Sequence, residues 1–310
     1  MDIKHTIIII TYNHEKTISK AIDSVVKNKT LPYELLIFDD FSQDKTSEIV
    51  RKYEALYSFI TYIDNNENIG MYENLNKIFD AEIKGDIVSF LSGDDWIEGD
   101  MLNSFNVIVK EKKLNGRNQS FLITPNTKLL DYNYKKEKIL DNYVLRKKNQ
   151  FKLKVKLKTY GRYSGISQKL YKKMEKNNLN FGIWADQLQA VDMYKKCDNF
   201  YFVNRVHNIY YRNERSISVT TSTKEISQSA INVFYEILDL YKDDLHIFDE
   251  IYVKKIIYSN KLNINKNIKN ILLFIIFNFI SFGQDDLVTW IKSFLIILPV
   301  KLKKIIKRRG

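Results

Sequence analysis

The sequence predicts a mixed α/β protein: a doubly wound, mostly parallel sheet with helices on both faces, extended by a helical C-terminal region. Three observations carry that reading. Thr6 to Ile10 form an unbroken β-branched run, the composition of a strand buried on both faces. Ile18, Ala21, Ile22, Val25 and Val26 then recur at the spacing of one helical face. The same strand-then-helix alternation returns as far as Leu91, which implies parallel strands joined by crossover helices.

In chain order, Glu34 to Asp39 read as the second strand, Ile49, Val50 and Tyr53 mark the second helix, and Phe59 to Ile63 form the third strand. A helix from about Met71 to Ala81 leads into a fourth strand over Asp86 to Leu91. Ligands of such sheets bind beyond the carboxyl ends of the strands, and there the chain turns polar. Thr11-Tyr12-Asn13-His14 follows the first strand, and Asp39-Asp40-Phe41-Ser42-Gln43-Asp44-Lys45-Thr46 the second. Asn65, Glu67, Asn68, Ile69 and Gly70 follow the third, and Ser92-Gly93-Asp94-Asp95-Trp96 the fourth. A single Asp after a strand is commonly a turn or cap residue, and Asp44, ahead of its helix, reads as one. Aspartates gathered from several strand ends repel unless a cation or a donor-rich ligand sits among them. A divalent metal with a phosphate ligand explains them economically.

Composition bounds the alternatives. The chain has 310 residues, 45% hydrophobic and 28% charged, with three Pro and ten Gly, which fits a packed protein and excludes collagen-like or linker-rich chains. At about 150 residues per domain it makes one large domain or two ordinary ones. Cys197, the single cysteine, has no internal disulfide partner, so an intracellular, reducing compartment is expected. The apolar run ending at Thr11 is too short and wrongly flanked for a signal peptide, and no stretch reaches the roughly 18 apolar residues of a membrane span. His5, His14, His207 and His246 lack zinc spacing, and His14 is expected to face solvent. Thr11 to Lys16 contain no glycine, which excludes the dinucleotide fingerprint, the P-loop and the glycine-rich opening of a sugar-1-phosphate nucleotidyltransferase.

The segments IIIITYNHEKTISKAIDSVVKN, ELLIFDDFSQDKT, NIGMYENLN and IVSFLSGDDW resemble, in order and spacing, the inverting glycosyltransferases of family two, which have the GT-A fold. The resemblance is clear over residues 4–110 and traceable to about residue 220. It implies a nucleotide-sugar donor, a UDP-sugar, held by Thr11, Tyr12, Asn13, Asp39, Asp40, Asn68, Gly70, Asn76, Ser92 and Gly93. Tyr12 would lie against the nucleobase, Asp40 would accept a hydrogen bond from it, and Asp39 would support that loop. Leu75 stands where the family commonly has Arg. Asp94 matches the second acid of the family's D-x-D and would ligate Mn²⁺ or Mg²⁺, helped by Asp95, while Ser92 replaces the first acid. Asp186 matches the family's general base, with Ala185 in place of the usual acid before it; a simple helix cap is the alternative. Trp184, Ser164, Arg212 and Arg215 would meet the acceptor or donor sugar, Trp184 as a stacking platform or else as core, and either arginine at the diphosphate. The acceptor implied is a hydroxyl of a glycan or a lipid-linked oligosaccharide in bacterial surface-polysaccharide synthesis.

The expected organisation is a GT-A domain over 1–220, divided into a nucleotide half (1–110) and an acceptor half (111–220), then a basic, apolar helical region over 221–310. Of the formal net charge of +12, residues from Ile264 onward carry nine Lys/Arg against two acids, and a second cluster from Arg146 to Lys158 has seven bases and no acid. The C-terminal helices fit mutual packing, a homodimer interface, or an anionic membrane surface met from the cytoplasm. Lys152, Lys154, Lys156 and Lys158 alternate with apolar residues as in a half-buried strand. The competing class is a degenerate GT-A protein or a binding protein for anionic lipid or nucleic acid; carboxylates at the rim argue against nucleic acid.

Overall fold

A computed structural model describes residues 2–131, 136–140, 164–174, 176, 182, 184–214, 216, 220–241, 247–265, 267, 270 and 273–274. These fall into two compact units. The first takes the described residues within Met1–Gln150, Lys158–Leu179 and Gln189–Ser216, the second those within Asn180–Leu188 and Ile217–Gly310.

The spine of the first unit is β1 (His5–Thr11). It pairs in parallel with β2 (Glu34–Asp39) on one side and β4 (Ile87–Ser92) on the other, and β3 (Ile60–Asp64) extends the parallel run beyond β2. Ile7, Ile8 and Ile9 are at most 1% exposed, which is what a β-branched run covered on both faces requires. The crossovers are α1 (Ile18–Val26), α2 (Thr46–Leu56) and α3 (Met71–Ile78). α1 buries Ile18, Ala21, Ile22, Val25 and Val26, the face its periodicity marks, against Ile7 and Ile9 of β1 and Leu35 and Ile37 of β2 in one cluster. Asp44 accepts the amide of Thr46, the first residue of α2, at 2.9 Å, and that of Glu15 at 3.1 Å. Burial alone would raise the Asp44 carboxyl; these bonds outweigh it and hold the group below its ordinary value.

The remainder of the sheet is mixed. β5 (Trp96–Ile97), α4 (Met101–Glu111), β6 (Phe121–Asp131), β7 (Lys136–Leu140), β8 (Gly165–Ser167), α5 (Gln168–Tyr171), α6 (Ala185–Lys196) and β9 (Asn199–Arg212) follow in the chain. Spatial order is β3-β2-β1-β4-β8-β6-β9-β5, with β7 on β6. β8 runs antiparallel between β4 and β6, and β6 and β9 pair in parallel with a register shift after Pro125. Gly165 permits the close approach of β8 to α4: a Cβ there would lie 2.8 Å from the Phe105 ring. The whole is the GT-A arrangement, with helices on both faces of the parallel part.

In the second unit, α7 (Thr223–Leu240) opens with a capping box in which Ser222 Oγ accepts the Glu225 amide and the Glu225 carboxylate accepts the Ser222 amide. α7 buries Ala230, Ile231, Val233, Phe234 and Ile237 and packs against α8 (Ile247–Ile264), where Val253, Ile257 and Leu262 are buried. The lysine alternation at 152–158 and the apolar and basic stretches at 275–280, 294–300 and 301–310 lie outside the described residues. Among the described residues no helix is long and apolar enough to cross a membrane.

Two buried histidines make the fold sensitive to acid. His5 Nε2 meets Asn106 Oδ1 at 2.7 Å. His207 Nδ1 bonds the Glu98 carbonyl at 2.8 Å, so it carries the proton, and Nε2 accepts from Ser104 Oγ at 2.9 Å. Burial lowers both below the ordinary 6.5. Below that value the unfolded chain binds more protons than the folded one, so stability falls as pH drops. The denaturant midpoint is expected to fall between about pH 7.5 and about pH 5, less steeply in His207→Asn; equal slopes in the two proteins would contradict neutral burial of His207.

Candidate active site

Strand register builds the site. Thr11 lies opposite Asp39, Asp39 opposite Asp64, and Ile10 opposite Ser92. The four polar segments therefore leave the sheet side by side. The ladder runs one step further through Asp40 N to Thr11 O (3.0 Å), Asn65 N to Asp39 O (3.1 Å) and Gly93 N to Ile10 O (2.8 Å).

After β2, both aspartates turn inward. Asp39, 0% exposed, accepts from the Ser42 amide (3.2 Å), Ser42 Oγ (2.5 Å) and Tyr62 Oη (2.7 Å). Burial holds its carboxyl above the ordinary value despite those bonds, and burial with the adjacent carboxylate pushes the Tyr62 hydroxyl upward. Asp40, 2% exposed, accepts from Asn65 Nδ2 (3.0 Å) and Ile69 N (2.9 Å) on Oδ1, and from Gly70 N (2.8 Å) on Oδ2. It anchors the β3–α3 loop to the rim, and of the roughly four acceptor positions of a carboxylate about one remains for a base. Gly70 holds φ +88°, a conformation suited to glycine, and its amide is shared with Asn68 Oδ1 at 3.1 Å. Asn68 is exposed, whereas Asn76 is buried in α3.

The first and second loops are stitched together. Asn13, at φ 52°, donates its amide to Ser42 Oγ (2.8 Å), and its Oδ1 accepts from Gln43 N (2.8 Å). Tyr12 between them is 41% exposed. His14 does not face solvent as expected. It is half-buried, Nδ1 lies 3.1 Å from Thr11 Oγ1, and burial lowers its pKa against the upward pull of Asp94, Asp44 and Asp39. The cause is Gly93, whose missing side chain lets ring and loop close in.

After β4, two adjacent aspartates part ways. Asp94 is half-buried and takes Ser92 Oγ on Oδ1 at 2.5 Å. Asp95 is 1% exposed and accepts the Tyr211 amide at 2.7 Å, tying the rim to β9. Asp95, expected to help Asp94 hold the ion, is thus buried and engaged by a backbone donor. Among the described residues no group of three or more His, Cys, Asp or Glu side chains is placed to hold a metal. Asp94 alone still fits the usual mode of Mg²⁺-like ions, which take one or two carboxylates and complete their shell with phosphate oxygens and water.

Ser164 is wholly buried, its hydroxyl 2.9 Å from Thr124 Oγ1, which closes it to a sugar. Arg212 Nη1 lies 3.6 Å from Asp131 Oδ2 across the β6–β9 pair, and its Nε is buried without a partner among the described residues. Arg215 lies outside the described residues. In the second unit Trp184 donates its amide to Ser229 Oγ (3.0 Å) and packs its ring on Phe234 at 5.6 Å, and Asp186 is a half-buried acid in the first turn of α6. The sequence reading named Ser42 and Asn65 in the polar segments without a role and gave none to Tyr62 and Asn74; all four brace the two buried aspartates, and Asn74 Oδ1 accepts from Asn65 Nδ2 at 3.1 Å. It also gave no role to Phe41, an exposed aromatic at φ 61°.

A methyl group at Gly93 would lie 2.6 Å from His14 Nδ1 and 2.7 Å from Thr11 Oγ1. Gly93→Ala is therefore expected to cost about 1–3 kcal/mol in chemical denaturation; an unchanged midpoint would contradict this packing.

Comparison with known proteins agrees with the fold. The model of "Glycosyl transferase family 2" matches residues 6–191. A cholesterol galactosyltransferase of Borreliella burgdorferi is 27% identical over 300 residues, 93% of this chain and 77% of that protein. A poly(ribitol-phosphate) beta-glucosyltransferase of Bacillus spizizenii is 31% identical over 113 residues, 36% of this chain and 18% of the relative. Among solved structures, S. aureus TarS 1–349 in complex with UDP-GlcNAc superposes with a TM-score of 0.60 at 19% identity, covering 88% of this chain and 79% of that one. The mannosyltransferase PcManGT of Pyrobaculum calidifontis, in complex with GDP-Man and Mn²⁺, gives 0.58 at 15% identity, covering 93% and 77%. With a family match over more than half its length, this chain belongs to glycosyltransferase family 2.

Proposed function

We propose that the enzyme moves a sugar from a nucleoside-diphosphate donor, with UDP as the nucleotide, to a hydroxyl of a glycan or lipid-linked acceptor, inverting the anomeric centre. The observation that carries this is the rim: Tyr12, the Asp39–Asp40 loop, the Asn68–Gly70 loop and Ser92–Asp94 emerge from four strand ends in register. UDP in one structural neighbour and a galactosyl transfer in the name of the relative spanning most of the chain support the donor class. That relative's cholesterol acceptor supports a lipid hydroxyl as one acceptor type.

Each group has a physical task. Tyr12 offers a face for a base to stack on. Asp40 holds the loop that carries Gly70 against the rim. Asp94 would hold the divalent cation, Mn²⁺ or Mg²⁺. When bound, such an ion neutralises charge on the departing diphosphate. Ser92 Oγ fixes the orientation of Asp94 through its 2.5 Å bond. Asp186 is proposed as the base that takes the acceptor hydroxyl's proton, since a hydroxyl is a poor nucleophile until it is deprotonated. The bases of 301–309 are proposed to rest on anionic lipid at the cytoplasmic face, where each contributes about 1 kcal/mol.

UDP release from a panel of UDP-hexoses, with glycan or lipid acceptors present, is the assay. Asp186→Asn is expected to lower turnover by roughly 10²–10⁴ while UDP still binds; unchanged turnover removes Asp186 as the base. Asp94→Ala is expected to abolish the Mn²⁺-dependent part of UDP binding, and retained dependence places the ion elsewhere. Anionic vesicles are expected to sediment the wild type but not a variant with Lys303, Lys304, Arg308 and Arg309 all replaced by Ala. Equal sedimentation contradicts the membrane role.

A further inference from the structure

Phe41 combines three properties that ordinary packing does not explain. It occupies the left-handed region at φ 61°, where a bulky side chain is a rare and strained choice. The residue is 40% exposed, so it is not a core side chain whose full burial would offset that strain. It also stands two residues past the end of β2, next to the loop that carries Tyr12 at the end of β1. Strained, non-glycine backbone that persists at a surface is characteristic of sites where the conformation serves function.

The surrounding bonds show how the conformation is enforced. Asp39 and Asp40, on its N-terminal side, are locked by their buried carboxylates. Ser42, on its C-terminal side, is held by Asp39 Oδ1 and by the Asn13 amide. Gln43 is held by Asn13 Oδ1. The backbone is therefore held on both sides of Phe41. Asn13 is itself left-handed, at φ 52°, and follows Tyr12 directly, so both exposed aromatics sit on backbone fixed in the same way by the same cross-links. Neither ring makes a ring or cation contact among the described residues.

We propose that Phe41 is a second aromatic wall of the donor site, so that Tyr12 and Phe41 together form a slot for the planar nucleobase. This rests on the nucleotide reading above and adds to it a residue and a source of affinity. Stacking on an aromatic ring is tolerant of base identity, so the slot fixes where the base lies, while polar groups of the rim choose which base it is. The strained backbone is what aims the ring.

The test uses Phe41→Gly, Phe41→Leu and Phe41→Tyr in the full chain. Glycine relieves the left-handed strain, so Phe41→Gly is expected to melt above the wild type while binding UDP with Mn²⁺ roughly tenfold more weakly in calorimetry. Phe41→Leu is expected to weaken UDP similarly, and Phe41→Tyr to restore it to within about twofold. Pyrophosphate with Mn²⁺, which has no base, is expected to bind all four proteins alike. UDP affinity unchanged in Phe41→Gly would overturn the slot while leaving the nucleotide site in place. Equal losses for UDP and pyrophosphate would overturn it too, by showing a general loop defect. A wild type that binds no nucleotide removes the slot together with the donor reading, and is recognised by that silence.

Discussion

The structure depends on the parallel pairing of β1 with β2 and β4. Because β1 is central and its register puts Thr11 beside Asp39 and Ile10 beside Ser92, segments distant in the chain emerge at one level. A slip of one residue would turn every buried isoleucine of β1 toward the opposite face. It would also separate the Asp40 amide from the Thr11 carbonyl. Core packing and site assembly are thus one constraint. The interdigitation of Ile7 and Ile9 with α1 that stabilises the sheet also fixes where the donor loops begin.

The rim spends its carboxylates unevenly. Asp39, Asp40 and Asp95 are buried and engaged by protein donors, which is the condition for burying a charge without prohibitive desolvation. They act as framework, each tying a different neighbour to the strand ends: Tyr62 of β3, the loop before α3, and β9. Asp94 is the member left half-buried, with Ser92 on one oxygen. A cluster that looks in sequence like a set of equivalent acids is therefore three braces around one candidate ligand. This also answers the repulsion problem. The charges are separated by amide, hydroxyl and phenol donors, so the fold does not call for a cation among them.

The parallel half was legible in the sequence because its signals are local. Continuous β-branched runs, an apolar face at helical spacing in α1, and a short polar turn after each strand specify elements without long-range information. Asp44 was legible as a helix-start residue for the same reason. The β6–β9 pair was not, since Phe121 meets Asn199 only through tertiary pairing, and its register shift after Pro125 breaks any simple pattern. Side-chain fates at the rim were legible by residue type but not by role. Nothing in Gly93-Asp94-Asp95 tells which aspartate turns toward the Tyr211 amide, because the choice is made by β9, more than a hundred residues away. His14 was misread for a similar reason: its burial is set by the absence of a side chain at Gly93. Phe41 carried a sequence clue, an aromatic inside an Asp/Ser turn, but its meaning depends on a φ angle that only coordinates give.

The most direct test is the structure of crystals soaked with UDP and Mn²⁺. The base is expected beside Tyr12 above the Asp39–Asp40 loop, and the diphosphate and the ion at Asp94. Nucleotide bound away from the carboxyl ends of β1, β2 and β4, or an ion coordinated without Asp94, would contradict it.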